Sequence, residues 1–275
     1  MTNNSGLFFE EHGPKTAATI LFLHGGGGGR WMWQPQVERL PDYHLLLPDL
    51  PGHGDSDHLR LTSIEDAASR SVELIRQKAH GGKAHVVGLS LGAQVLVYML
   101  AQAPEVIDHA VVSSALLKPM SNQWLYNPGF LRFLFNTSVA PFRNSHWWAR
   151  VNMKYSGGIP EEYFPQYFEL FKSMTADQFI DVARVGLHND IPDGLAKAKN
   201  PTLVLCGEKE YREMQESTQA VAAALPNGKA FKVTYPKGVP LREQHNWSMA
   251  YPDLFTRTLR AWVENKALPE EVKPL

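Results

Sequence analysis

Ser90 lies at the centre of Gly88-Leu89-Ser90-Leu91-Gly92, a G-x-S-x-G. An apolar strand-like run, Ala84–Leu89, precedes it and a helix-like segment follows. That context is the one in which a serine sits on a sharp, strained strand-to-helix turn with its hydroxyl projecting from the sheet edge. The chain passes so close to itself there that positions two before and two after the serine tolerate little side chain, and glycine fills both. The chemistry implied is nucleophilic: an activated hydroxyl attacking a carbonyl.

A serine hydroxyl needs a base within hydrogen-bond reach. With this turn the order along the chain is nucleophile, acid, base. Only one histidine follows His188. It is His245, in LREQHNWSMA, between the last strand-like run and the final helix-like segment. The acid should hold the imidazole tautomer and stabilise the imidazolium. Its place is just past PTLVLCG, where GEKEYRE offers Glu208, Glu210 and Glu213; no aspartate occurs between Asp193 and Asp253. Asp190 and Asp193, at the end of an aromatic-rich stretch, are less well placed.

LFLHGGGGGRW, Leu21 to Trp31, holds five consecutive glycines. A phosphate-binding P-loop requires Lys then Ser or Thr after its last glycine, and here Arg30-Trp31 follows. A dinucleotide fingerprint requires glycine at its first, third and sixth positions, and every frame fails. Apolar segments flank the run too closely for a linker. What remains is a strand-to-loop turn whose backbone approaches a partner.

The elements that must position these groups alternate along the chain. Thr19–Leu23, His44–Pro48, Ala84–Leu89, His109–Ser114, Pro201–Gly207 and Phe231–Tyr235 read as strands. Most are apolar throughout, as in parallel strands covered on both faces. Ile64–Ala79, Leu91–Ala103, Glu213–Leu225 and Pro252–Asn265 read as helices. The alternation predicts an α/β fold with a mostly parallel central sheet flanked by helices. It breaks between about residues 117 and 198, an aromatic-rich stretch with helical patches and no clear strand. We read residues 1–116 and 199–275 as the core domain and 117–198 as a helical cap. Some cap aromatics should line an apolar substrate pocket. Trp33, Trp124 and Trp147 are the candidate substrate contacts.

Composition bounds the function. The chain has 275 residues, 44% apolar and 20% charged, with a formal net charge of −1. No block of Lys and Arg supplies a footprint for nucleic acid. The lone cysteine, Cys206, excludes an intrachain disulfide and reads as a small buried hydrophobe. No signal peptide or membrane-spanning run is visible, so a cytoplasmic location is expected, without membrane association. No H-E-x-x-H and no clustered Cys/His ligands occur, and neither metal nor cofactor is expected. The sequence does not indicate an oligomeric state.

Together these residues resemble the α/β-hydrolase family, most nearly its lidded serine hydrolases of the esterase and lactonase type. The resemblance rests on His24-Gly25 after a strand, Trp33, PDLPGHGDS (Pro48–Ser56), GLSLG, PTLVLCGEKE and His245, and it spans all but the cap. It implies Ser90 as nucleophile and His245 as base. It implies Glu210 as acid, three residues past the strand-ending Gly207, where most relatives carry Asp; Glu208 is the next candidate. It further implies that the backbone N–H groups of Gly26 and Leu91 form the oxyanion hole, that His24 is structural, and that Asp49, His53 and Asp55 form a structural turn. The remaining glycines then provide either room beside the carbonyl for bulky esters or loop mobility.

The leading reading is a carboxylesterase-like hydrolase acting on a small ester with an apolar group through an acyl-enzyme. A lactonase, thioesterase or C–C bond hydrolase could use the same triad, as could a lyase of the hydroxynitrile type. A non-catalytic binding protein on this fold is a further alternative. A serine nucleophile argues against dehalogenase and epoxide hydrolase chemistry, which use aspartate.

Overall fold

The computed structural model describes residues 5–118, 127–187 and 190–275. Its strands are β1 (Phe9–His12), β2 (Thr19–Leu23), β3 (His44–Pro48), β4 (Ala84–Leu89), β5 (Ile107–Ser113), β6 (Thr202–Gly207), β7 (Gly228–Val233) and β8 (Val272–Pro274). The helices are α1 (Gln34–Arg39), α2 (Ile64–Lys78), α3 (Leu91–Gln102), α4 (Pro128–Ser138), α5 (His146–Asn152), α6 (Phe164–Ser173), α7 (Ala176–Leu187), α8 (Arg212–Ala224), α9 (Leu241–His245), α10 (Trp247–Ala250) and α11 (Pro252–Val263). One eight-stranded sheet runs β1-β3-β2-β4-β5-β6-β7-β8. The six inner strands are parallel; β1 and β8 are antiparallel edges.

The inner strands are apolar because both faces are covered. In β2, Leu21 and Leu23 join the core beneath α2 and α3, while Ile20 and Phe22 join a second core beneath α11. The expected alternation of strands and helices is therefore present, with small shifts. β5 begins two residues earlier than the sequence suggests, and β7 spans Gly228–Val233 instead of Phe231–Tyr235. The edge strands were not anticipated. β1 reads FEEH and is only half-buried, and β8 is three residues long. Neither carries the apolar run by which covered parallel strands are recognised. Helices α4 to α7 all fall between β5 and β6. No helix among the described residues is long and apolar enough to cross a membrane.

The topology determines where a ligand can bind. From β2 the chain moves to β3 on one side, then crosses back to β4 on the other. The loops leaving β2 and β4 thus diverge at a topological switch point, the crevice where ligands bind in open α/β sheets. The loop after β2 is the glycine run, and the turn after β4 holds Ser90.

Trp33 is not a substrate contact. It is fully buried between Phe22, at 4.9 Å between ring centroids, and Phe255, at 5.6 Å, in the core under α11. Trp147 is 70% exposed on α5 and packs on Trp148; it lines no cavity with Ser90. Trp124 lies outside the described residues. Trp33→Ala should therefore lower stability by about 3–5 kcal/mol in urea unfolding. Trp147→Ala should stay within about 0.5 kcal/mol of wild type. Equal effects from both would contradict this placement.

Candidate active site

Ser90 links β4 to α3 with φ 53° and ψ −112°, a left-handed backbone that a serine adopts only under constraint. The constraint is close packing. A Cβ on Gly92 would overlap the carbonyl of Leu23, and one on Gly88 would overlap the backbone of Gly92. The turn is tied on both sides. The Ser90 N–H donates to the Ser113 carbonyl at 2.9 Å, and the Gly92 N–H donates to the His24 carbonyl at 3.1 Å. The Ser90 carbonyl accepts from the N–H groups of Ala93 and Gln94. That leaves the Leu91 N–H, at the first position of α3, without an intrahelical partner. The α3 dipole adds positive partial charge at this end.

The glycine loop lies against this turn. A Cβ on Gly25 would stand 3.6 Å from the Ser90 Cβ, and one on Gly26 would stand 3.6 Å from the Leu91 Cβ and 2.9 Å from Val182 of α7. Gly27 requires φ +68°. Gly25 to Gly28 line the cavity described below; a side chain on Gly28 would run into Met32, and one on Gly29 would crowd Trp31 and Asp49. The loop is pinned at several points. His24 Nδ1 donates to the Gly25 carbonyl at 2.8 Å, and its Nε2 accepts from the Leu50 N–H at 2.9 Å. His53 Nδ1 donates to the Pro51 carbonyl at 3.0 Å, and its Nε2 accepts from the Gly27 N–H at 3.2 Å. Asp49 accepts from the N–H groups of Arg30 and Asp55. His24, Asp49, His53 and Asp55 thus brace the loop by hydrogen bonds.

Each of these imidazoles donates from one nitrogen and accepts at the other, an arrangement only the neutral ring can satisfy. Burial accordingly lowers the pKa of His24 to about 4 and of His53 to about 3.

Glu210 follows the β6 end by three residues and is buried. Its Oε1 faces His245 Nδ1 at 2.5 Å. Its Oε2 accepts from the Gly207 N–H at 2.7 Å and from Ser114 Oγ at 2.9 Å. Both carboxylate oxygens are therefore occupied and aimed. Glu208 turns away toward the Tyr235 N–H, at 3.5 Å, and Glu213 sits on α8. Asp190 and Asp193 lie in the segment between α7 and β6. Of the acidic candidates, Glu210 is the one the fold brings to His245.

Sequence reasoning missed two supports and assigned a third, His53, only to a structural turn. Ser114, with φ 57° just past β5, directs its hydroxyl onto Glu210. Gln244, fully buried, accepts from the Lys209 N–H and donates to the Val239 carbonyl, joining the loop of Glu210 to the helix bearing His245. His53 holds the glycine loop. The partners they join across the fold, Glu210, Lys209 and Gly27, are far away in sequence, so no local pattern marks them.

Ser90 and His245 line one cavity of about 490 Å³, within the roughly 300–1,000 Å³ usual for small-molecule sites. Its far wall comes from α6, α7 and the turn between them: Tyr167, Leu170, Phe171, Met174, Phe179 and Val182. Tyr167 and Phe171 stack at 6.2 Å, as residues one helical turn apart can.

The neutral histidines make a pH prediction. An unfolded histidine titrates near 6.5. Between there and about pH 4 the unfolded chain binds protons that folded His24 and His53 refuse, so stability falls as pH falls. Removing one such site flattens the dependence by about 1.4 kcal/mol per pH unit. His53→Gln should show that shallower loss of urea stability between about pH 6 and 4. Curves parallel to wild type would contradict it.

Comparison with known proteins agrees with this architecture. The model of the alpha/beta hydrolase family matches residues 20–258. An AB hydrolase superfamily protein of Gibberella zeae is 23% identical over 286 residues, covering 96% of this chain and 86% of that protein. A 2-succinyl-6-hydroxy-2,4-cyclohexadiene-1-carboxylate synthase of Serratia proteamaculans is 22% identical, covering 93% and 96%. Among solved structures, a thermophilic esterase from Thermogutta terrifontis superposes with a TM-score of 0.70 at 22% identity, covering 94% of this chain and 93% of that one. With a family match across most of its length and the eight-stranded sheet to go with it, the chain belongs to the α/β hydrolase family.

Proposed function

We propose that the protein is a serine hydrolase of neutral carboxylic esters, with Ser90 as nucleophile, His245 as general base and Glu210 as the triad acid. The observation that carries this reading is the Glu210–His245 pair, 2.5 Å apart, with His245 and Ser90 lining the same cavity.

The pairing sets the chemistry. With Nδ1–H donated to Glu210, the proton-accepting lone pair of His245 is on Nε2. Ser90 Oγ attacks the ester carbonyl carbon as Nε2 takes its proton. The oxygen that becomes negative is received by the N–H groups of Gly26 and Leu91, each donor contributing about 3 kcal/mol to the transition state. The imidazolium, stabilised by Glu210, protonates the departing alkoxide and leaves an acyl-Ser90 ester. His245 then deprotonates a water that attacks this ester, and Ser90 recovers its proton as the acid leaves.

The cavity supports neutral substrates. Among its described lining residues there is no Lys or Arg, and Asp57 contributes a carboxylate. A second carboxylate on a substrate would find no cationic partner there and would be repelled by Asp57. The apolar side chains of α6 and α7 favour an alkyl or aryl group instead. This lining speaks for esters over the carboxylate-bearing kind of compound for which the Serratia relative is named.

On p-nitrophenyl butyrate, Ser90→Ala should lower kcat by about 10⁴-fold or more, and Glu210→Gln by roughly 10³–10⁴-fold. Glu208→Gln should retain wild-type rates within about threefold. The p-nitrophenyl ester of succinate should be hydrolysed at least about tenfold less efficiently than the butyrate. Turnover that survives Ser90→Ala, or that fails in Glu208→Gln and survives Glu210→Gln, would refute the assignments. Preference for the succinate ester would refute the neutral-substrate reading alone.

A further inference from the structure

A second cluster of ligating side chains lies at the opposite end of the same strand. In the β4–β5 ladder, Ala84 pairs with Ile107 and Val86 with Ala110, with a register shift between them. One residue of β4, His85, thus stands opposite two of β5, Asp108 and His109, as a β-bulge requires. Ala84, Val86, Ile107 and Ala110 all enter the core beneath α2 and α3. By strand alternation His85 points to the other face, and the extra residue lets both Asp108 and His109 gather beside it.

The geometry is that of an oxygen-and-nitrogen ligand set. Asp108 stands between the two rings, its Oδ2 3.7 Å from His85 Nδ1 and its Oδ1 3.6 Å from His109 Nδ1. One ligand atom from each residue can be chosen so that all three lie within 4.8 Å of one another. Tetrahedral zinc with bonds of 2.0–2.1 Å separates its ligands by about 3.3 Å, so small side-chain shifts would close the set. His85 and His109 are 7% and 9% exposed. His85 Nδ1 and both ring nitrogens of His109 are buried with no hydrogen-bond partner, which native interiors rarely tolerate. The Asp108 side chain is 58% exposed and gives an ion its way in.

We propose that His85, Asp108 and His109 bind one divalent transition-metal ion of the zinc or cobalt type, fastening β4 to β5 at the foot of the sheet. Two imidazoles and one carboxylate suit such ions and not calcium or magnesium, which take oxygen ligands. The fourth position falls to water. Five residues of strand put the site about 16 Å from Ser90, so its role is structural and independent of the chemistry proposed there. The sequence conceals it, because the ligands come from two segments and only the bulge joins them.

The test uses the full chain, stripped of metal with a chelator and titrated near neutral pH with Zn²⁺ by calorimetry and with Co²⁺ by visible absorption. One saturable equivalent, with a rise in Tm, is expected. Asp108→Asn and His109→Gln should each weaken Zn²⁺ binding at least about tenfold and abolish the rise in Tm. Asp108 is exposed, so Asp108→Asn preserves the fold and decides the matter if His109→Gln does not fold. No saturation below about 1 mM Zn²⁺ would overturn the proposal. Unchanged affinity in Asp108→Asn would also overturn it, since the ion would then sit on other histidines, and water alone would be what meets the buried nitrogens.

Discussion

Everything at the candidate active site depends on how closely the chain leaving β4 passes the end of β2. The turn at Ser90 reverses direction within one residue, and it can do so only because Gly92 presents no side chain to the end of β2 and Gly88 none to the backbone of Gly92. The positive φ of Ser90 costs on the order of 1–3 kcal/mol. The hydrogen bonds from Ser90 N–H to Ser113 and from Gly92 N–H to His24 help to offset that cost. The same closeness brings the glycine loop beside Ser90, since the carbonyl that receives the Gly92 N–H belongs to the residue that begins the loop. Serine, loop and helix terminus are thus one packing arrangement.

The Glu210 side is built differently. Ser90 is held by backbone packing, whereas Glu210 is held by side chains and the N–H at the end of β6. Burying a carboxylate is costly unless its lone pairs are met. Here Gly207, Ser114 and His245 meet them. Glutamate's additional methylene, compared with aspartate, must be positioned as well, and the hydroxyl of Ser114 on the oxygen that does not face His245 performs that task. Gln244 then fixes the distance between the loop of Glu210 and the helix that carries His245.

What was legible in the sequence follows from this contrast. The turn at Ser90, the parallel core and the positions of His245 and Glu210 leave local marks: paired glycines, apolar runs, and placement past a strand end. Glu210 could not be separated from Glu208 by residue type, because both are solvent-tolerant glutamates until one is buried against His245. Trp33 was misread for a physical reason. It follows the glycine loop closely, but the short helical turn at Arg30–Trp33 packs both Met32 and Trp33 into the core with Phe22 and Phe255, and of the two Met32 alone also lines the cavity. Ser114, Gln244 and His53 act on partners set by the tertiary fold, where local patterning carries no information. Among the aromatics between β5 and β6, Tyr167 and Phe171 face the cavity because they share one face of α6; Trp147 shares no such face and is exposed.

The central claim is that the strained turn presents Ser90 as an activated nucleophile. Reaction with a p-nitrophenyl alkylphosphonate, followed by intact mass measurement and peptide mapping, tests it most directly. The account predicts that one phosphonyl group is added per chain, on the peptide containing Ser90, with p-nitrophenol released in equal amount and labelling lost in Glu210→Gln on the same time scale. A chain that stays unlabelled, or one labelled at a residue other than Ser90, would contradict it.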